Sequence, residues 1–375
     1  MDYFQDLTFA EKEIRKIADI KHIPIAGTFE LTPLCNMDCR MCYVRMSNQE
    51  MQCSAGRMHT AKEWIALGEQ AVKQGMMFLL LTGGEPFLYP DFLEVYHALR
   101  KLGLIVMINS NGTLLSDDIL NGLATDKPRR VNISLYGSSD EVYADLCRNP
   151  KGFTQVIDCV ERLQDKNIDM RFNMALTPWN KEDFPNMLKV ADKYHIPVSI
   201  ANYIFPAQRR NLTCEEAALH RFSPELAGKY GVEISRLYET SEEMIRMAKN
   251  RLERVKNASV PEAEQRQGFW CRGGNSAFWV TWDWRLLPCG MVDWPAVKIE
   301  ADRFGENWKS LRCEMEKILL SSECYHCPKK TVCQSCAASM VTETGFYNQK
   351  PEYQCKLTDA MLRTCEEILK EAEDE

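Results

Sequence analysis

No apolar run in these 375 residues approaches the roughly 18–20 that a membrane-spanning helix needs. The N-terminus, MDYFQDLTFAEKEIRK, has no apolar stretch after a basic start, so it does not read as a secretory signal peptide. Basic charge is not in excess either. Lys and Arg number 46 against 53 Asp and Glu, a formal net charge of −7, which argues against a surface that tracks nucleic-acid phosphates. Internal repeats and low-complexity tracts are absent. With 45% hydrophobic and 26% charged residues, the composition excludes disordered and fibrous classes. A cytoplasmic protein with neither membrane nor nucleic-acid partners is expected.

Cysteine, by contrast, is abundant: there are 16. A reducing cytosol does not normally keep structural disulfides, so such a density there points to metal or catalysis. The first 34 residues hold none, and nine of the 16 lie from Cys271 onward. That asymmetry predicts two cysteine systems on two domains, in line with the length.

After a short amphipathic helix around residues 10–19, branched apolar runs at 27–31, 78–82, 105–109, 131–135, 169–175 and 197–204 read as strands. Between them, 3.6-residue periodicity at 60–74, 91–102, 116–123, 152–165 and 181–194 predicts helices. The alternation gives an α/β fold with a parallel sheet, and six units fit a partial (β/α)6 TIM-like barrel. We therefore expect an N-terminal helix (1–24), a barrel (25–205), a helical bridging region (206–267) and a small cysteine-rich domain ending in a helix (268–375). Six of the eight tryptophans fall between Trp270 and Trp308, and packing around metal clusters is their expected use.

Cys35, Cys39 and Cys42 follow the first strand at C-x3-C-x2-C spacing. Three thiolates on one loop can hold three corners of a cubane iron–sulfur cluster and leave the fourth iron open to substrate. Zinc is the alternative, although it would need a fourth Cys or His nearby. At the end of the second strand stands Gly83-Gly84-Glu85-Pro86, two glycines that admit close approach and a proline that fixes the turn. Both motifs fall at strand ends, where a parallel β/α fold places its ligands.

Together the three cysteines and the Gly83–Pro86 run resemble the radical S-adenosylmethionine superfamily, over residues 25–205. The resemblance implies a [4Fe–4S] cluster whose open iron binds S-adenosylmethionine, with reductive cleavage to methionine and a 5′-deoxyadenosyl radical that takes hydrogen from a substrate. It implies that Gly83, Gly84 and Glu85 contact the methionine amino group. The residue before the third cysteine places the adenine through its backbone; usually aromatic, it is Met41 here. Asn111, in Asn111-Gly112-Thr113, matches a turn of the family but reads equally as an ordinary Asn-Gly turn. By the same resemblance Ser134 and Arg148 hold the ribose or carboxylate of S-adenosylmethionine, and Leu176 packs on the adenosine. An arginine fork suits a carboxylate, while a surface ion pair for Arg148 and a core role for Leu176 are the plain alternatives.

The second system comprises Cys271, Cys289, Cys324, Cys327, Cys333, Cys336 and Cys355. Seven thiols are one short of two closed four-thiolate clusters, and a pair of zinc ribbons is the alternative. The arrangement resembles the SPASM domain, the auxiliary-cluster extension of peptide- and protein-modifying relatives. That implies two auxiliary [4Fe–4S] clusters, one on Cys271, Cys289 and Cys336 and the other on Cys324, Cys327, Cys333 and Cys355. Two departures stand out. Trp284 occupies the place of an expected glycine, so that hairpin is expected to turn differently, and the Cys333–Cys336 gap is one residue short. Gly290 stands where sulfatase-maturing relatives carry Asp, which argues against that activity.

Cys147, Cys159, Cys214, Cys313 and Cys365 read as small buried hydrophobes, and Cys53 as a polar-loop residue close to the first cluster motif. Asp283, Asp293 and Tyr43 lie beside the motifs but are not assigned as acid or base. The resemblance implies a radical oxidoreductase acting on a ribosomally made peptide, forming a thioether or carbon–carbon cross-link or oxidising a side chain. A flavodoxin- or ferredoxin-type protein would donate electrons. Only 34 residues precede Cys35, too few for a leader-binding domain of its own, so a leader would bind the barrel, the C-terminal domain or a separate protein. Maturation or epimerisation of a small-molecule cofactor precursor is the second reading, and a zinc-stabilised non-catalytic interaction protein the third.

Overall fold

Strand order is the simplest statement of this architecture: β6-β5-β4-β3-β2-β1-β7-β8-β9 in one nine-stranded sheet. A computed structural model describes residues 8–207, 209, 219–259 and 271–374. Cys214, Trp270 and the expected boundary at Gly268 lie outside the described residues. The chain forms two compact units, one of Met1–Ala201 with Cys271–Met315, the other of Asn202–Trp270 with Glu316–Glu375.

In the first unit the strands β1 (Ala26–Glu30), β2 (Phe78–Thr82), β3 (Ile105–Ser110), β4 (Arg130–Ser134), β5 (Met170–Ala175) and β6 (Val198–Ala201) are parallel in sequence order. This is the α/β partial barrel expected from the alternation. The helices are α1 (Phe9–Lys21), α2 (Asn48–Cys53), α3 (Ala61–Lys73), α4 (Phe92–Lys101), α5 (Asp117–Thr125), α6 (Asp140–Cys147), α7 (Gly152–Asp165) and α8 (Phe184–Tyr194). Local chemistry sets their starts. Thr60 opens α3 with a capping box, accepting from the Glu63 N–H while Glu63 accepts from the Thr60 N–H. Ser116 and Ser139 accept from the third residue of α5 and α6.

Register separates the sheet's faces. Phe29, Leu81, Ile108 and Val131 align on one face, all four fully buried, and Trp64 of α3 packs on Phe29 with ring centroids 5.2 Å apart. The opposite face carries Glu30, Asn109, Arg130, Asn132 and Arg171, with Asn132 aligned between Asn109 and Arg171. Asn132 donates to Asn109 Oδ1 (2.8 Å) and accepts from Arg130 Nε (3.0 Å), so these buried polar groups are partnered.

The sheet extends beyond the six expected strands. β7 (Ala277–Val280) pairs in parallel with β1, and β8 (Arg285–Leu287) and β9 (Val297–Lys298) continue antiparallel. β1 would otherwise be an edge with open backbone groups, and β7 covers them. Trp279 of β7 donates its indole N–H to the fully buried Glu30 carboxylate (2.9 Å). The segment 271–315 therefore packs with the barrel, a different division from a boundary at residue 268.

In the second unit the helices Pro224–Glu233, Ser241–Lys256 and Glu352–Asp374 carry a core of Val232, Met244, Ala248, Met361, Leu362, Cys365 and Ile368. A buried Arg221–Glu343 ion pair (2.5 Å) also accepts the Tyr203 hydroxyl (2.6 Å).

Candidate active site

Three loops meet at the C-terminal ends of β1, β2 and β3. The first carries Cys35, Cys39 and Cys42, all partly exposed. The second is the Gly83-Gly84-Glu85-Pro86 turn, and the third is Asn111-Gly112-Thr113. Backbone bonds lock the first two together, Gly84 N–H to Thr32 O (2.7 Å) and Glu85 N–H to Leu34 O (2.8 Å). The approach is so close that a Cβ on Gly84 would stand 2.3 Å from Leu34 O, and one on Gly83 2.6 Å from Thr32 O. Glycine is required here by space.

Glu85 ties the second loop to the third. Its fully buried carboxylate accepts from Phe87 N–H (3.1 Å), Ser110 Oγ (2.9 Å) and Asn111 N–H (2.7 Å). Burial pushes its carboxyl up to about 7, with the Asn111, Phe87 and Ser110 hydrogen bonds pulling the other way. Asn111 then reaches the first loop, donating from Nδ2 to Asn36 Oδ1 (2.9 Å) and to Cys35 Sγ (3.5 Å). Asn36 donates to Thr113 Oγ1 (2.8 Å), and Thr113 bonds back to Asn111 Oδ1. The Asn-Gly turn thus fastens the cysteine loop. Asn36, beside Cys35, was not singled out from sequence, and Thr113 was read there only as part of the Asn-Gly-Thr turn.

The sulfurs have donors of their own. Met37 N–H points to Cys35 Sγ (3.4 Å) and Arg45 N–H to Cys42 Sγ (3.3 Å). Burial pushes the Cys35 thiol up to about 12, and Glu85 and the other two cysteines add to the shift. Donors aimed at sulfur suit thiolates that bind a cluster. Among the described residues no three His, Cys, Asp or Glu side chains meet closely enough to grip one metal ion; a cubane takes each thiolate at a separate iron and needs no such common point.

The other expected contacts are spread along the same rim. Met41 is half-buried between Cys39 and Cys42. Ser134, at the end of β4, is half-buried, and its carbonyl accepts the Tyr143 hydroxyl (3.2 Å). Arg148 is exposed and caps α6 in a left-handed conformation (φ 58°). Leu176 is buried after β5, its N–H bonded to Ala201 O (2.8 Å). Asn180, also missed from sequence, ties the β4 and β5 ends by donating to Tyr136 O (3.0 Å) and Ala175 O (2.9 Å).

Asp283 and Asp293 are both occupied by Arg285, and Tyr43 is half-buried one residue after Cys42. Trp284 departs from expectation. Its φ of +61° is the left-handed conformation a glycine would supply, so the hairpin turns with tryptophan in that place. Its ring stacks on His59, centroids 3.9 Å apart and planes within 6°. Trp279, Trp282 and Trp308 are buried, and Trp294 is exposed.

Of the C-terminal cysteines, Cys271 and Cys289 lie in the first unit. A Cβ on Gly273 would stand 3.4 Å from Cys271 Sγ and 2.8 Å from Pro288 O, so the chain beside the two cysteines runs close together. Met291 N–H points to Cys289 Sγ (3.5 Å). Cys324, Cys327, Cys333, Cys336 and Cys355 lie in the second unit. Burial raises Cys324, with Cys333 and Cys327 adding to the shift; burial pushes Cys355 up to about 11, with Cys324 and Cys333 contributing. Cys336 is the N-cap of the helix Ala337–Thr344. Cys147, Cys159 and Cys365 are buried as expected, whereas Cys313 is exposed because it lies on the outer side of the helix Phe304–Glu316. Cys53 is exposed at the end of α2.

Among the described residues no helix is long and apolar enough to cross a membrane. Residues 29–191 match the model of the radical SAM superfamily. The AdoMet-dependent heme synthase of Methanosarcina barkeri is 24% identical over 336 residues, covering 87% of this chain and 94% of that protein. The subtilosin biosynthesis protein AlbA of Bacillus subtilis is 31% identical over 173 residues, 45% of this chain and 37% of that protein. Streptococcus suis SuiB bound to its precursor peptide SuiA shares the fold at a TM-score of 0.66 and 18% identity, covering 91% of this chain and 79% of that one. With its parallel barrel and this match, residues 29–191 are a radical SAM domain, of the superfamily that works with S-adenosylmethionine and a [4Fe–4S] cluster.

Proposed function

We propose that Cys35, Cys39 and Cys42 hold the [4Fe–4S] cluster with one open iron, and that the chain matures a ribosomally synthesised peptide. The cysteine loop carries the first part: three thiols on one loop, sulfur-directed donors on two of them, and a lock to both neighbouring strand ends. When bound, the cluster and S-adenosylmethionine supply a 5′-deoxyadenosyl radical that abstracts hydrogen from the substrate. The chain's own residues position that chemistry. Asn36, Asn111 and Thr113 orient the cysteine loop, and Glu85 holds the Asn111 turn against it. Gly83, Gly84, Glu85, Met41, Asn111, Ser134, Arg148 and Leu176 are the proposed contacts to S-adenosylmethionine.

The peptide substrate is supported by the names of AlbA, a bacteriocin biosynthesis protein, and of SuiB bound to a precursor peptide. The cysteine-rich C-terminal part supports two auxiliary clusters, with Cys324, Cys327, Cys333 and Cys355 of the second unit as one ligand set and Cys271 and Cys289 of the first unit in the other. Such clusters can take up the electron left on a product radical. Anaerobically reconstituted protein should then approach about twelve iron atoms per chain, and a value near four removes the auxiliary pair. Cys42→Ala should abolish 5′-deoxyadenosine release after dithionite and S-adenosylmethionine; retained release overturns the cluster assignment.

A second reading, maturation of a small-molecule cofactor precursor, is favoured by the near full-length match to a heme synthase. Offering the enzyme a cysteine-bearing precursor peptide and an iron porphyrin precursor separates the two. A mass loss in the peptide supports the first, and conversion of the porphyrin alone supports the second.

A further inference from the structure

The chain as a whole is acidic, with a formal net charge of −7, yet one surface of the second unit is basic. The C-terminal part of the helix Ser241–Lys256 carries Arg246, Lys249, Arg251, Arg254 and Lys256 against the single acid Glu253. Acidic side chains gather at its other end, at Glu239, Glu242 and Glu243. Arg246, Lys249, Arg254 and Lys256 are exposed. The helix dipole accounts for Arg254 and Lys256 in the last turn but not for Arg246 and Lys249 further back. This end of the helix is fastened to the loop between Cys327 and Cys333. The Arg254 guanidinium donates to Thr331 O, and the Thr331 hydroxyl donates to Arg254 O (3.2 Å). Val332 packs on the core that the helix helps to form. The loop adds Lys329, paired with Asp359, and Lys330, which lies over the Tyr325 ring (4.3 Å). Residues 324–336 contain no Asp or Glu. Pro328 and Thr331 are exposed and Cys327 and Cys333 half-buried, so the basic surface borders a loop that carries two of the proposed cluster ligands.

We infer that this basic surface docks an acidic one-electron carrier protein of the ferredoxin type, beside the cluster proposed for Cys324, Cys327, Cys333 and Cys355. The inference rests on that ligand assignment. A cluster that takes up the electron left on a product radical holds one electron too many for the next turnover. One electron must leave it, with no bond made or broken, for an oxidised carrier that ends reduced by one. Redox partners of this kind meet briefly over small interfaces, where complementary charge supplies both encounter rate and orientation. A negatively charged carrier is drawn to the Arg246–Lys256 surface and repelled by the net charge of the chain elsewhere.

The test uses the anaerobically reconstituted full chain and an oxidised plant-type [2Fe–2S] ferredoxin, with binding read by calorimetry. Raising salt from about 50 to about 300 mM should weaken binding about tenfold. Lys249→Glu and Lys256→Glu together should weaken it about tenfold at the lower salt. Both side chains are exposed, so the fold is kept, and circular dichroism checks this. Arg246→Glu, made separately, should act in the same direction, while Lys62→Glu, exposed on α3, should leave binding unchanged. Absence of binding at low salt, or an equal loss with Lys62→Glu, overturns the inference. So does polyglutamate that binds as tightly as the ferredoxin and displaces it, because the surface then takes acidic peptides in general. Cys355→Ala checks the ligand assignment apart from docking. Its iron content should fall by about four atoms per chain; unchanged iron overturns the assignment, whatever the ferredoxin affinity.

Discussion

Trp284 keeps a φ of +61°, a conformation that costs an L-residue roughly 1–2 kcal/mol. Its ring is repaid by the stack on His59 and by an edge contact with Trp64, centroids 5.9 Å apart. His59 is itself held, its carbonyl accepting the Tyr89 hydroxyl (2.7 Å) and its ring facing Glu63 (3.3 Å). Two opposed effects can therefore be separated by substitution. Trp284→Ala loses the ring and keeps the strain, for a destabilisation of about 3–5 kcal/mol. Trp284→Gly loses the ring but relieves the strain, so it should be the more stable of the two by about 1 kcal/mol. Denaturant midpoints of the two variants check this, and alanine equal to or above glycine would show that the turn carries no strain. The expected glycine position was visible in the sequence, but the stacking partner 225 positions away was not.

The elements behave as their local patterns predict wherever one chain segment decides. Alternating apolar runs place β2 at Phe78–Thr82 and periodicity places α7 at Gly152–Asp165, both as read from sequence. Strand ends are less legible, because their roles come from loops that meet across the rim. The Gly83-Gly84 pair was recognisable as a site of close approach, yet the partner it approaches, Leu34 O, is a backbone atom that no residue type announces. Gly84→Ala should leave the helices and sheet in place and push the cysteine loop away. Circular dichroism should be unchanged while iron falls by about four atoms per chain. Full iron content with alanine at this position would mean that the loop lock is dispensable. The Asn111 turn is a similar case: its composition is that of any Asn-Gly turn, and only its bonds to Asn36 and Cys35 distinguish it.

For the whole molecule, the proposed auxiliary set makes a prediction about which step fails. Cys355 belongs to the second unit, outside the barrel that carries Cys35, Cys39 and Cys42. Cys355→Ala should therefore release 5′-deoxyadenosine at the wild-type rate with S-adenosylmethionine and dithionite, while modified product falls at least tenfold. Normal product formation would leave that cluster structural or absent.

The sequence by itself determined the alternation that makes a parallel α/β barrel, the three-cysteine loop after β1 and the cysteine-rich C-terminal part, because periodicity and spacing are local properties of the chain. Tertiary structure alone decided that β7 closes the open edge of β1 and that Asn111 and Glu85 bind the three loops into one rim. Each of these joins residues far apart in sequence. Backbone edges, buried carboxylates and thiols find their partners only when packing brings distant segments together and removes water as the competing partner.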